Sequence, residues 1–280
     1  MDKQWEASIL VDEPNKRIKV LQYQSVDIAA IDQHIEQRAG EIGVTKLIIY
    51  ARKRDVSEFM NLGYRLEGTI DGFFNGINAQ MVSRFLTDER STSQAPEAED
   101  EIVRISLSKQ ETGVEKLPPL PDQYIIREAS VEDAEEMAFL YGLVFKTYPT
   151  PMNDPSYVKK TMQESTFYSV VEANGRIVCA ASAEVTPEYG SAEITDCVTH
   201  PDYLGNGLLQ YLFPVLEQKM DAMNIFYLYT LTRAQSHGMN ITAAKQGYQY
   251  RGRLVNNCTI FSGYEDMNIW VKPLRETSDE

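Results

Sequence analysis

The feature that most constrains the fold is an internal repeat that lies toward the two ends of the chain. Gly63-Tyr64-Arg65-Leu66-Glu67-Gly68 matches Gly247-Tyr248-Gln249-Tyr250-Arg251-Gly252 at a constant offset of 184 residues, from Gly63 to Gly247 and from Gly68 to Gly252. Each copy follows a predicted strand and a short predicted helix. The sequence therefore predicts that residues 1–88 form a degenerate half of the domain that occupies residues 124–274.

Hydrophobic periodicity predicts a mixed α/β fold with a central sheet flanked by helices. Residues 89–123 are acidic and contain proline, which predicts a linker, and residues 275–280 form a tail. Before the linker we expect a hairpin at 7–23, helix 26–43, strand 46–51, helix 55–62 and two strands. After it we expect strand 124–127, helices 131–145 and 155–164, strands 166–172, 177–185 and 192–199, helix 207–223, strand 226–232, helix 239–246 and two closing strands.

Charge and composition argue against several classes of partner. The chain has 41 acidic and 27 basic residues and a net charge of −14, which predicts no nucleic-acid partner. No apolar run reaches the roughly 18–20 residues that cross a bilayer, and the first residues lack a signal-peptide core, so we expect a cytoplasmic protein without membrane contact. The oligomeric state stays open. No metal is expected, because metal-ligand spacing is absent around Cys179, Cys197, Cys258, His34, His200 and His237.

A turn with two glycines joins predicted strand 192–199 to predicted helix 207–223. Gly205 and Gly207 free backbone N–H groups at a helix N-terminus, where a pyrophosphate can bind without a side-chain cation. The third glycine of the dinucleotide fingerprint is replaced by Gln210, and the Gly-Lys-Ser/Thr of a P-loop is absent. The turn therefore indicates a phosphate-bearing ligand without naming it.

This turn and the order of the predicted elements resemble the GNAT superfamily of N-acetyltransferases. Against the common loop Tyr-Arg-Gly-x-Gly-x-Gly, the chain has Tyr203-Leu204-Gly205-Asn206-Gly207-Leu208-Leu209, in which Leu204 replaces the arginine and Leu209 the last small residue. The resemblance implies a GNAT fold over residues 124–274 and acetyl-CoA as co-substrate, with no metal. It implies that the cofactor is bound by Val198, Thr199, Leu204, Gly205, Asn206, Gly207, Leu208 and Leu209.

Other segments look like the β-lysine N-acetyltransferases of bacteria and archaea. The resemblance implies acetyl transfer to the ε-amine of β-lysine, a small molecule made by a lysine aminomutase, in the synthesis of a compatible solute. Another small amine, a protein lysine, or a non-catalytic role in sensing CoA are the alternatives. The segments that carry the resemblance are 145–151, 233–242, 245–252, 254–257 and 265–270.

Acetylation of an amine requires a group that accepts a proton. An aliphatic amine with a pKa of about 10.4 is protonated at pH 7, and forming the free amine costs about 4.6 kcal/mol. Glu193 is the first candidate base, because it stands on the strand where some superfamily members carry theirs. Asp196 is the second, as base or as anchor for a cationic group. Strand alternation predicts two faces, with Glu193, Thr195 and Cys197 on one and Ile194, Asp196 and Val198 on the other.

Two further expectations concern the chemistry. Many family members place a general-acid tyrosine four residues before the glycine that corresponds to Gly247, where this chain has Ala243. Cys197 is predicted to be a buried strand cysteine and not a nucleophile.

A substrate with two amines and a carboxylate needs both acceptors and donors in its pocket. The candidates are Tyr148, Asn256, Asn257, Glu265 and Asp266, for which turn formation and solvation of a hairpin are the alternative roles.

Overall fold

All twelve strands in the described part of the chain belong to one mixed sheet, which confirms the predicted α/β class. The computed structural model describes residues 9–23, 27–110, 117–261 and 263–279. The sheet order is β1-β2-β3-β5-β4-β11-β12-β10-β9-β8-β7-β6, parallel at β2–β3 and β9–β10. The strands are β1 Ile9–Asp12, β2 Arg17–Val20, β3 Lys46–Ala51, β4 Arg65–Phe74, β5 Ile77–Phe85, β6 Tyr124–Glu128, β7 Thr166–Ala173, β8 Arg176–Thr186, β9 Ser191–Thr199, β10 Tyr227–Arg233, β11 Gln249–Ile260 and β12 Gly263–Pro273.

Eight helices in the described residues cover the sheet, and none of them is long and apolar enough to cross a membrane. One layer of helices packs on the N-terminal strands, and one further layer packs on each face of the C-terminal strands. The helices are α1 Ile28–Ile42, α2 Val56–Asn61, α3 Asp88–Ser91, α4 Pro96–Gln110, α5 Ala134–Val144, α6 Pro155–Gln163, α7 Leu209–Ala222 and α8 His237–Lys245.

The connection between the two parts of the chain contains a helix that the linker prediction missed. Ile102, Val103 and Ser106 of α4 are buried, and the helix packs against α8. The apolar face of α4 is narrow and the helix contains many acidic residues, so its sequence resembles that of a solvent-exposed linker. Residues 111–116 of the predicted linker, residues 7 and 8 of the predicted hairpin and residue 26 of the predicted helix 26–43 lie outside the described residues.

The two copies of the repeat occupy equivalent positions. Gly63 follows α2 and Gly247 follows α8, both in the left-handed conformation with φ of +87° and +84°. Toward the centre of the sheet the strands read β2-β3-β5-β4 from one side and β9-β10-β12-β11 from the other. This order supports the assignment of residues 1–88 as a degenerate half-domain, which stays a prediction.

The two halves of the sheet meet through two glycines that the repeat aligns. Gly68 of β4 pairs with Gly252 of β11, the only register pair recorded between these strands in the described residues. A Cβ at Gly252, where φ is +139°, would overlap the carbonyl oxygen of Glu67. A Cβ at Gly68 would lie 2.6 Å from the carbonyl oxygen of Arg251. Only glycine allows the backbones to approach this closely.

Beyond this contact, the two halves face each other across a shared core. The ring of Phe73 on β4 lies 4.9 Å from the Tyr50 ring of β3, 5.3 Å from Tyr189 and 6.0 Å from Tyr229 of β10. All four side chains are buried. Because the core is shared, one face of β3 is turned toward β10. The neighbouring strand β2 shares the wall of a cavity with β8 and β9.

Polar side chains of the N-terminal strands hold an irregular stretch of β11, whose register with β12 shifts between Leu254 and Cys258. The Val255 N–H donates to Glu67 Oε1 at 2.6 Å, and Lys46 Nζ donates to the Val255 carbonyl at 2.7 Å. Lys46 and Glu67 form a buried ion pair of 2.8 Å. Any other arrangement of the two halves would break this pair and leave a buried charge uncompensated, which is strongly destabilising. These contacts therefore fix the position of one half against the other.

We expect Gly252→Ala to lower the free energy of unfolding by about 2–4 kcal/mol, because the new Cβ forces the β4 backbone away. Gly40→Ala is the matched control: Gly40 lies exposed within α1 with no atom within 4 Å of the added Cβ, so it should raise stability by about 0.5–1 kcal/mol. Denaturant unfolding of both variants measures this. A Gly252→Ala protein as stable as the wild type would refute the close-approach argument.

Candidate active site

Strands β9 and β10 separate along their length. They pair only from Ser191↔Tyr227 to Glu193↔Tyr229, and from there β9 continues on β8 while β10 continues on β12. The gap holds a cavity of about 120 Å³, here named the split cavity. Its wall comes from both strands and from the start of α8, and includes Thr195, Asp196, Cys197, Thr230, Thr232, Arg233, Ser236 and Met239.

A β-bulge in β9 reverses the predicted alternation of side chains. The register with β8 shifts by one residue at Asp196, whose φ is +49°. The prediction that Glu193 and Asp196 lie on opposite faces is therefore wrong, since both line the same cavity. Beyond the bulge, Cys197 packs with Ile194 in the core beneath α7, and Val198 packs on the α5 side.

Hydroxyl groups hold the Asp196 carboxylate at the bulge. Ser182 Oγ donates to Oδ2 at 2.9 Å and Tyr148 Oη donates to Oδ1 at 3.3 Å, while Tyr141 Oη donates to the Asp196 carbonyl at 2.5 Å. Burial raises the pKa of Asp196 to about 6, the Ser182 hydrogen bond opposes that rise and Glu184 adds to it. A left-handed non-glycine residue held by three hydroxyls is the kind of strain found at functional sites.

A second cavity of about 230 Å³, here named the charged cavity, lies between β8 and β9 and the N-terminal strand β2. Its wall includes Tyr148, Thr195 and Asp196, which also line the split cavity. The two cavities therefore meet at Asp196. The acidic and basic side chains on the wall of the charged cavity are Arg17, Lys19, Glu164, Glu184, Glu193 and Asp196.

Two glutamates oppose each other in the charged cavity. Glu184 of β8 and Glu193 of β9 are direct cross-strand partners. Two like charges in such a pair repel each other and destabilise the sheet. Burial raises the pKa of Glu193 to about 7, with Glu184 adding to the rise and Lys19 opposing it. Glu184 is exposed and Glu193 is half-buried, so the two carboxylates oppose each other on the wall of an open cavity, and such a pair indicates a site for a cation.

Sequence analysis missed the two cations of this cavity. Ile18 and Val20 of β2 are buried beneath α1, so strand alternation turns Arg17 and Lys19 toward the charged cavity. Charged residues that alternate with apolar ones are also typical of a strand whose charged face is exposed to solvent and lines no cavity. No signal in the sequence distinguishes these two cases, because the wall opposite β2 comes from residues more than 150 positions away.

The glycine turn presents unpaired backbone donors. Gly205 and Gly207 adopt φ of +82° and +67°, and α7 begins at Leu209. In the described part of the chain no acceptor is found for the backbone N–H groups of residues 205–209. Five consecutive free donors at the N-terminus of a 14-residue helix fit a pyrophosphate. The Leu204 side chain is 66% exposed, so it does not obstruct the turn.

Proline within α7 is accommodated without loss of a hydrogen bond. Pro214 has no N–H to donate to the Gln210 carbonyl, and Gln246 Nε2 donates to that oxygen instead at 3.1 Å. The start of α7 thus stays helical beside the turn.

Three of the predicted cofactor residues can contribute little through their side chains. Val198 and Leu208 are buried in the core, and the Thr199 hydroxyl lies 3.3 Å from the Cys179 thiol. The Asn206 side chain donates to the Tyr203 carbonyl. Contacts of this segment with a ligand would therefore come mainly from the backbone.

The predicted substrate residues divide into two groups. Tyr148 and Asn257 line the charged cavity, where the Asn257 Oδ1 has no hydrogen-bond partner in the described residues. Asn256 is buried and donates to the carbonyls of residues 89, 90 and 92, and its N–H donates to Asp266 Oδ1. Glu265 forms a bidentate pair with an arginine of β10, at 2.6 and 2.8 Å. Asn256, Glu265 and Asp266 therefore do not line the charged cavity.

Comparison with known proteins identifies relatives over most of the chain. The model of the acetyltransferase (GNAT) family matches residues 131–248. The chain is 37% identical to the N-acetyltransferase YodP of Bacillus subtilis, over 93% of each protein. It is 36% identical to a β-lysine N(6)-acetyltransferase of Methanosarcina mazei, over 84% of this chain and 94% of that protein. It is 32% identical to a protein of the same description from Methanococcus maripaludis, over 95% and 96%.

We expect Gly207→Val to weaken CoA binding at least tenfold, because a β-branched residue disfavours the left-handed backbone that points the free N–H groups outward. Gly175→Val is the matched control, since Gly175 has a φ of +71° in a hairpin with no atom within 4 Å of the added Cβ. Both variants carry the same backbone strain, and only the first should lose CoA affinity in calorimetry. Equal affinities would remove the turn from the cofactor site.

Proposed function

The chain belongs to the GNAT family and is an acyl-CoA-dependent N-acetyltransferase, and we propose that it acetylates the N6 amine of β-lysine in the cytoplasm. One observation carries the proposal for the acceptor: carboxylates line a cavity that meets the split between β9 and β10. Carboxylates bind ammonium groups, and β-lysine has two of them. The names of the two archaeal relatives support the same acceptor.

The free backbone donors of residues 205–209 would hold the pyrophosphate of the cofactor. When bound, acetyl-CoA supplies the acetyl group as a thioester. The residues of this chain must orient the amine and remove its proton. Cys197 does not take part as a nucleophile, because burial raises the pKa of its thiol well above the usual value and keeps it neutral. The acetyl group therefore passes directly to the amine.

We assign the role of general base to Asp196, in preference to Glu193. Asp196 lines both cavities, whereas Glu193 lines only the charged cavity. With a pKa of about 6, Asp196 is ionised at neutral pH and able to accept the ammonium proton on a carboxylate oxygen. The nitrogen lone pair would attack the carbonyl carbon of the thioester, so that an N–C bond forms as the C–S bond breaks. The second proton of the amine would leave the nitrogen and be taken up by the departing thiolate, directly or through solvent.

Glu184 and Glu193 would then bind the second ammonium group of the acceptor. Their mutual repulsion disfavours the ionised pair, and a cation between them removes that repulsion. This role gives the opposed glutamates a reason that packing alone does not provide.

The identity of the acceptor is tested by measuring the turnover of different amines. The wild-type protein, acetyl-CoA and a panel of β-lysine, α-lysine, spermidine and a lysine peptide are compared by thiol release, and NMR locates the acetyl group. We expect β-lysine to have the highest kcat/KM, with acetylation at N6. A higher value for spermidine or the peptide would move the function to that amine. Binding of CoA without turnover of any amine would identify a sensor.

Asp196→Asn should lower kcat at neutral pH by about 10²–10⁴, because the amide cannot accept the proton. The loss should shrink as the pH approaches the pKa of the amine, where free amine needs no base. The wild-type rate should fall as the pH drops through about 6, since protonated Asp196 is inactive. A pH profile measures both effects.

Glu193→Gln serves as comparison in the same profile, and should raise KM more than it lowers kcat. If Asp196→Asn lowers kcat by the same factor at every pH, Asp196 positions the substrate and does not transfer the proton. Wild-type rates in that variant would return the role to Glu193.

A further inference from the structure

The cations of the charged cavity come from the N-terminal half of the chain, outside the residues that the family model matches. We propose that Arg17 and Lys19 bind the carboxylate of the acceptor, so that this half selects amines that carry an acid group. The proposal rests on the proposed acetylation of a small amine in this cavity. It makes β2 part of the substrate site.

The charges follow one another along the cavity in the order that the acceptor needs. Arg17, Lys19 and Glu193 line the charged cavity and not the split cavity, whereas Asp196 lines both. The cations therefore lie at the Glu193 end, away from the junction of the two cavities. In extended β-lysine the N6 amine and the carboxylate are also at opposite ends, with the second amine near the acid.

Arg17 is held in place while part of its guanidinium stays available. Nε donates to Asp12 Oδ2 at 2.7 Å and Nη1 donates to the Asn257 carbonyl at 3.0 Å. No acceptor for Nη2 is found among the described residues. The side chain is 7% exposed, so its geometry is preorganised.

Among the described residues, no carboxylate forms an ion pair with Lys19. The charged groups that face it are Arg17, Asp12, Glu184 and Glu193, and of these Arg17 acts most strongly, lowering the pKa of Lys19. Two cations at alternate positions of one strand repel each other across the same face. A carboxylate between them would relieve this repulsion and accept hydrogen bonds from both.

The same charges disfavour acceptors without an acid. A polyamine of similar length would direct an ammonium group at Arg17 and Lys19, which costs binding energy instead of gaining it. The arrangement therefore discriminates by charge at the end of the substrate that does not react.

The test compares β-lysine with β-lysinamide, which keeps both amines and loses the negative charge. For the wild type we expect kcat/KM to be about 10- to 100-fold higher for the acid, the range of a charge-assisted hydrogen bond. Lys19→Met should lose about tenfold or more on the acid, mainly through KM, and less than twofold on the amide. Lys19→Arg should retain the preference.

Lys16→Met is the matched control, because Lys16 lies in the same hairpin, is exposed and does not line the cavity. It should behave as the wild type with both compounds. Equal wild-type rates on acid and amide, or equal losses by Lys19→Met on both, would overturn the assignment. The same acid–amide pair of α-lysine is measured in parallel. Failure of β-lysine as acceptor would then reject the proposed function, while the α-lysine pair still decides the role of the cations.

Discussion

The contact of two glycine backbones at the centre of the sheet is the constraint on which the rest of the structure depends. Because neither Gly68 nor Gly252 has a Cβ, β4 and β11 approach closely enough for twelve strands to form one sheet. With the two halves joined in this way, one face of β2 is oriented toward β8 and β9 across the charged cavity. The charged cavity exists only because of that orientation, since its cations and its carboxylates come from different halves of the chain.

The site concentrates interactions that are unfavourable in isolation. Asp196 has a left-handed backbone, Glu184 and Glu193 repel each other, and Lys19 faces Arg17. Each of these lowers the stability of the free protein, and a ligand with two ammonium groups and a carboxylate would relieve the two repulsions together. The buried Lys46–Glu67 pair and the hydrogen bonds on β11 hold the two halves together around these groups.

Most elements could be predicted from the sequence, because their hydrophobic periodicity survives in the fold. The predicted strand 46–51 has the observed bounds, and the helices α1, α6 and α7 differ by two residues or fewer at each end. The helix α4 was missed, since it buries only a narrow apolar stripe. The faces of β9 were predicted wrongly, because a bulge is set by the pairing with β8 and leaves no trace in the pattern of β9 itself.

The sequence by itself determined the family, the strand-to-helix turn that presents Gly205 and Gly207, and the two candidate carboxylates, because these depend on residues close together in the chain. Only the tertiary structure decided which carboxylate stands where the two cavities meet, and that Arg17 and Lys19 of the N-terminal half line the charged cavity. These facts depend on the register between strands and on contacts between distant residues, such as Arg17 with Asn257, which are 240 positions apart. Local periodicity carries no information about them.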